Sequence, residues 1–332
     1  MKVSDLCLIL VILFLAFLVP SPAIAGEGII SLGPVSISLY GLCVALAAVL
    51  WLLLLSRASG SRRQDTVVIG LFVLPLSLVG ARLFFCLARF EFVFLEMGLP
   101  YALSTWNGGF MMWGMLSGGV LGVYLAARRL KRRFSDVLNS AAIPTAAVIA
   151  VLRLAEYFTT EGRGRWLEES GDLSSFFCRL PFALRNEYGE WQLAVFLWEA
   201  VVAVIILIVL CRRRAFGQGQ FMLLILFYSA AQIVLESLRM DSCPRIGFVR
   251  VSQVLSVIAL LICVFLRNYR LRSLKVAFWK SAIVILCMTA VGILEWALDK
   301  TTLSIPLGYA LMCTASLIAL TMGFPKTSES KK

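Results

Sequence analysis

The chain alternates long apolar stretches with short polar interruptions. After an opening run from Leu6 to Val19, apolar stretches cover residues 34–56, 65–88, 107–127, 136–156, 191–211, 219–237, 251–267, 276–296 and 303–323. Each approaches the ~20 residues that a helix needs to cross ~30 Å of hydrocarbon. Hydrocarbon offers backbone N–H and C=O groups no partner, and a helix satisfies them within one segment. The pattern predicts an all-α polytopic membrane protein with nine spanning helices.

The opening segment differs from the others. Residues 1–25 combine Lys2, a run too short for a comfortable span, and Ala23-Ile24-Ala25, a signal-peptidase type of ending. This predicts a cleaved signal peptide, with a retained N-terminal transmembrane helix as the alternative. Either way Gly26 starts outside.

Composition supports the membrane reading. The chain is 60% hydrophobic and 15% charged, whereas soluble domains carry about 25% charged residues. Lysines and arginines outnumber acidic residues 31 to 19, for a net charge of +12. The excess sits in five clusters: Arg57/Arg62/Arg63, Arg128/Arg129/Lys131/Arg132/Arg133, Arg212/Arg213/Arg214, Arg267/Arg270/Arg272/Lys275, and the Lys326/Lys331/Lys332 tail. They occupy every second connection, so the positive-inside rule assigns all five to the cytoplasm. A membrane partner explains the charge, and no nucleic acid is needed.

Histidine is absent from all 332 residues. That excludes Ser-His-Asp and Cys-His catalysis, zincin motifs and haem ligation by histidine. Proton transfer near neutral pH would fall to a carboxylate, thiol or lysine. Of the nine cysteines, Cys178 and Cys243 fall in expected external loops, where a disulfide would form or both thiols would stay free. Cys86 reads as a packed thiol at a helix end.

Ionisable groups in hydrocarbon are costly and tend to mark sites. By this topology Tyr40, Arg82, Asn107, Arg153, Glu156, Gln192, Glu199, Gln232, Glu236 and Gln253 all lie in the outer half of their spans. They predict a polar cavity open to the outer face rather than a through-going pore. Each has a structural reading as well. Arg82 would snorkel to lipid phosphates, Arg153 and Glu156 would pair at i,i+3, and the glutamines would bond helix to helix. Glu199 has no partner nearby in sequence and reads as a lone buried carboxyl, and Glu295 reads as interfacial. Gly114, Gly118 and Gly122 give the small-xxx-small spacing of closely packed helices.

The segments GPVSISLYGL, GARLFFCL, WNGGFMMWG, VLRLAEYFTTEGRGR, FYSAAQIVLESLR and SQVLS, in this order, resemble the bacterial phosphatidylglycerol–prolipoprotein diacylglyceryl transferases. The resemblance covers 33–270 and implies about seven core helices. It leaves 271–325 as an appended two-helix unit and 326–332 as a basic tail. It also implies transfer of a diacylglyceryl group from phosphatidylglycerol, or a phospholipid like it, to a prolipoprotein cysteine, without cofactor or metal, at the outer side of the bacterial cytoplasmic membrane. Tyr40, Arg82, Arg153, Glu161, Gly164, Gln192, Tyr228, Glu236 and Gln253 match what that family has at those places. Arg153 would hold the phosphate, the glutamines would supply neutral hydrogen bonds and Tyr228 a hydroxyl.

The resemblance also has gaps. Trp113 stands where the family places its essential histidine, Glu156 and Thr159 where it has asparagines, and Gln232 where it has a second essential arginine. One cation and the obvious proton acceptor are thereby lost, and a carboxylate is gained beside the phosphate site. Arg153, Glu236, Glu156 and Glu161 are the expected catalytic residues. Tyr40, Arg82, Asn107, Trp113, Gly164, Gln192, Glu199, Tyr228, Gln232 and Gln253 are the expected substrate-binding set. Three functions fit: a divergent transferase, an inactive paralogue that binds phospholipid or lipoprotein precursors, and a lipid or small-solute transporter.

Overall fold

The computed structural model describes residues 29–32, 35–58, 63–104, 109–159, 161–167, 183–185, 189–212, 219–240, 244–247, 249–300 and 304–324. The signal-like segment 1–25, Asn107, Cys178, Cys243 and the tail 326–332 lie outside the described residues.

In chain order the elements are strands β1 (Ile29–Leu32) and β2 (Val35–Ser38), then helices α1 (Leu39–Ala58) and α2 (Arg63–Ala88). A π-helical turn (Glu91–Glu96), α3 (Leu99–Leu103), α4 (Met112–Arg129) and α5 (Phe134–Ala155) follow. After a 3-10 turn (Glu156–Phe158) come β3 (Arg163–Leu167), β4 (Ala183–Arg185), β5 (Trp191–Ala194), α6 (Val195–Arg212) and α7 (Gln220–Leu238). The chain continues through β6 (Arg245–Ile246), β7 (Val249–Arg250), α8 (Val251–Leu271), α9 (Leu274–Lys300) and α10 (Ile305–Met322).

Among the described residues eight helices are long and apolar enough to cross a membrane, one fewer than expected. The missing one is α4, expected at 107–127. Its helix begins only at Met112, carries Gly114, Gly118, Gly119 and Gly122, and ends on Arg128-Arg129. Its composition is therefore not apolar enough. Two other expected spans start late. Residues 35–38 pair as β2 with β1, Ile29 opposite Ser38, and 191–194 form β5 before the α6 helix begins.

The described residues fall into two compact units. The first comprises residues up to Leu74, Val123–Phe221 and Leu238–Ser242. Here α5 packs against both α1 and α6. Its buried positions include Ala141, Ala142, Ala146, Ala147, Ala150 and Ala155, whose short side chains let neighbouring backbones come close. The α1 indole of Trp51 donates to the Thr145 hydroxyl at 3.2 Å. Beyond α5 the antiparallel sheet, in the order β3-β5-β4, sets Trp166 and Leu184 on either side of Gln192.

The second unit comprises Pro75–Gly122, Met222–Ser237 and Cys243–Lys332. The latter part of α2 meets α4 through glycines. A Cβ on Gly114 would strike the Gly80 carbonyl, and one on Gly118 the Leu76 carbonyl. The other core of this unit joins α7 to α10: Leu226, Ile233, Leu260, Val264, Val284 and Met312 are buried in one cluster.

Candidate functional site

The first unit holds a closed ring of charge. Arg153 in the last turn of α5, Glu156 in the following 3-10 turn, Glu199 one turn into α6 and Arg239 just after α7 are only 5%, 6%, 2% and 4% exposed. The Arg153 guanidinium binds the Glu156 carboxylate directly and reaches Glu199 at 3.2 Å. Arg239 reaches Glu199 at 3.3 Å and Glu156 at 3.6 Å. Each cation thus meets both carboxylates. Glu199, expected as a lone buried carboxyl, lies between two guanidiniums.

Local backbone geometry places these groups. Gly162 adopts φ +72°, and a Cβ there would run into Glu156 Oε2 and the Phe196 side chain. Its carbonyl accepts the Phe196 N–H at 3.0 Å, which ties the turn to the start of α6. Gly164 forms a bridge with Arg239, and the neighbouring Arg163 carbonyl accepts the Met240 N–H at 2.8 Å. A Cβ on Gly164 would press on the Leu238 carbonyl at 2.9 Å and on Val195 at 2.7 Å. Gly164 was expected to touch substrate; here its missing side chain lets β3 lie against the backbone that carries Arg239. Tyr40, half-buried in the first turn of α1, lies in the electrostatic field of Glu156, Glu161, Arg153 and Arg239. Glu161 itself is exposed, and Gln192 is half-buried in β5.

The second unit holds a neutral-donor network. Gln232 Nε2 donates to Glu236 Oε2 at 2.7 Å. Gln253 Nε2 donates to the Ile233 carbonyl and to Glu295 Oε2, both at 3.0 Å. Gln253 Oε1 accepts the Arg250 N–H at 3.1 Å, closing the first turn of α8. Glu295, expected at the interface, is drawn into this network from α9. The Trp113 indole donates to Ser256 Oγ at 3.0 Å, and its ring tilts against Tyr228 with 5.7 Å between centroids. Arg82 is 5% exposed and does not snorkel. It donates to the carbonyls of Ala102 at 3.1 Å, Gly109 at 3.2 Å and Tyr101 at 2.5 Å. It therefore pins α3 and the approach to α4. The Cys86 thiol is buried and packed against the Ala102 carbonyl.

Residues 27–269 match the family model for prolipoprotein diacylglyceryl transferase. The chain belongs to this family. It is 30% identical over 250 residues to the phosphatidylglycerol–prolipoprotein diacylglyceryl transferase of Frankia alni, covering 70% of this chain and 62% of the relative. The protein of that name from Mycobacterium tuberculosis is 30% identical over 253 residues, covering 70% and 53%. The Listeria monocytogenes one is 28% identical over 249 residues, covering 73% and 88%. The chain thus spans little more than half the length of the first two relatives. Helices α9 and α10 lie beyond the residues matched to the family.

For this family member, the positions that depart from the resemblance have local partners. Trp113 fills the expected histidine position with a donor bonded to a serine. Gln232 gives the expected arginine position a neutral donor to Glu236. Glu156 turns the expected asparagine position into an anion between two arginines. Sequence reasoning left Arg239, Ser256 and Arg250 out of the site. Arg239 was detectable in principle, because a carboxyl as deeply buried as Glu199 requires a cation.

Proposed function

We propose that this family member binds phospholipid with the headgroup phosphate between Arg153 and Arg239, in a polar cavity on the outer side of a bacterial cytoplasmic membrane. It then transfers the glyceryl portion of the lipid to an acceptor thiol. The observation that carries this reading is the pairing of two buried guanidiniums on the same two carboxylates. Guanidinium forks match phosphate oxygens, and charge-assisted bonds are about twice as strong as neutral ones. Arg239, just after the end of α7, thus supplies the second cation that Gln232 lacks.

In the transfer the acceptor sulfur attacks the glyceryl carbon bearing the phosphate. A C–S bond forms, the C–O bond breaks, and the phosphate monoester leaves with the electron pair. The two guanidiniums would stabilise that charge. The thiol proton goes to Glu161, the exposed carboxylate beside the ring and the one an acceptor can reach. A carboxylate is a weaker base than imidazole, so turnover is expected to be slow.

The test is to incubate the purified protein with phospholipid and a lipobox peptide and look for lipidated peptide by mass spectrometry. Slow product formation is expected. Arg153→Ala should lose both lipid binding and product, and Glu161→Gln should lose product but keep lipid. The placement of Trp113, a donor in the expected histidine position, favours a second reading: an inactive paralogue. Bound lipid with no product from any acceptor would establish that one and overturn the transferase.

A further inference from the structure

We infer that Tyr309 and Ser316, on the appended helix α10, are positioning residues that fix the axial register of α7 and with it the place of Arg239. This rests on the reading that Arg239 holds a phospholipid phosphate. Both residues lie beyond residues 27–269, the stretch matched to the family.

The buried Ser316 hydroxyl donates to the Ala230 carbonyl, and the Tyr309 hydroxyl donates to the Ser237 carbonyl at 3.4 Å. The donors stand seven residues apart on α10 and the acceptors seven residues apart on α7. The two helices, antiparallel by this pairing, are thus fastened at two points roughly 10 Å apart. Between those points Gln253 of α8 donates to the Ile233 carbonyl and meets Glu295 of α9. Ala230, Ile233 and Ser237 follow the i, i+3, i+7 spacing of one helix face, so α7 is tied along that whole face.

These bonds do what the surrounding core cannot. Leu226, Leu260, Val284 and Met312 pack here through apolar contact, which has no preferred direction and tolerates sliding. A hydrogen bond weakens steeply once misaligned. Ser237 carries one of the last four carbonyls of α7, which find no partner inside the helix, and Arg239 follows two residues later. Arg239 reaches Glu199 at 3.3 Å and Glu156 at 3.6 Å. An axial shift of about 1–2 Å, the usual size of a helix displacement, takes it out of that range. An unfastened α7 therefore spends part of its time with the phosphate site incomplete, and apparent lipid affinity falls in proportion.

Wild type, Tyr309→Phe, Ser316→Ala and the double variant are purified full length in detergent. Phosphatidylglycerol is titrated onto each below its melting temperature, with native mass spectrometry as the readout. The double variant is expected to raise Kd about fivefold and each single variant less. Val284→Ala, which removes apolar packing from the same core, should lower the melting temperature and leave Kd unchanged. Register is read separately and without lipid. A Cβ on Gly323 would lie 3.2 Å from Leu226 Cγ, within reach of a disulfide. Leu226→Cys with Gly323→Cys, in a cysteine-free background, should therefore cross-link on oxidation. The yield should fall in the Tyr309→Phe/Ser316→Ala background and hold in the Val284→Ala one. An unchanged yield overturns the register role, and a lower yield with unchanged Kd overturns the positioning of Arg239. Equal effects from Val284→Ala overturn both, because packing alone would then explain them. A wild type that binds no phosphatidylglycerol overturns the phospholipid reading, and the cross-link still decides the register.

Discussion

At the scale of single residues, the structure separates groups that hold charge from groups that hold backbone. Gly164 belongs to the second kind. A methyl group at this position meets the Leu238 carbonyl and Val195, both fixed in place, so Gly164→Ala should cost about 1–3 kcal/mol through overpacking. Because the pressure falls on the backbone carrying Arg239, lipid retention should fall with it. Thermal unfolding in detergent and co-purified lipid report the two effects. Trp113 gives a contrasting case: Trp113→Phe loses one buried hydrogen bond to Ser256, worth about 1 kcal/mol, while the ion-pair ring is untouched. Its melting temperature should drop and its lipid content should not. The acidic members of the ring were legible in the sequence, because a glutamate inside an apolar run is conspicuous. Arg239 was not, since an arginine at the end of a span reads as an ordinary interfacial anchor. Glu156 and Glu199, both distant from it in sequence, give it meaning.

Helices were the easiest elements to read, because hydrocarbon imposes both their length and their composition. Their edges were harder. Trp191–Ala194 and Val35–Ser38 carry Gln192, Ser36 and Ser38 among apolar residues, and four positions are too few for that pattern to mark a change to paired strands. The same blindness affected α4, whose glycines lower its apolarity while serving contact with α2. That contact makes a sharp prediction. The Cβ of Gly118→Ala would collide with the rigid Leu76 carbonyl, so about 1–3 kcal/mol of stability should be lost. Gly292→Ala, inside α9 where an added Cβ meets nothing within 4 Å, should cost no stability and should raise resistance to unfolding by up to about 1 kcal/mol through helix propensity.

For the whole molecule, the five basic clusters carry a constraint on α4. They can share one side of the membrane only if α4 crosses as the other eight helices do. Eighteen residues span roughly 27 Å as a helix, which is sufficient when arginines sit at its end. A single cysteine introduced at Arg129, in a cysteine-free background, should therefore resist membrane-impermeant maleimide in spheroplasts and react after lysis. Labelling before lysis would mean that α4 does not cross. Truncation after Arg272 tests the C-terminal helices. It strips Val284, Val291 and Met312 from the core around Leu260 and Val264, and removes the Glu295 partner of Gln253. The shortened protein should unfold at a markedly lower temperature, although all residues matched to the family remain.

The join between β5 and α6 has a mechanical consequence. Ala194 ends the strand and Val195 begins the helix with no residue between them, and the Phe196 N–H is clamped to the Gly162 carbonyl. Sheet and helix therefore act as one stiff lever, with Glu199 a single turn from the fulcrum. A tug on the outer strands β3 or β4, whether from an arriving polypeptide or an antibody fragment, would be transmitted to Glu199 as displacement rather than absorbed by slack.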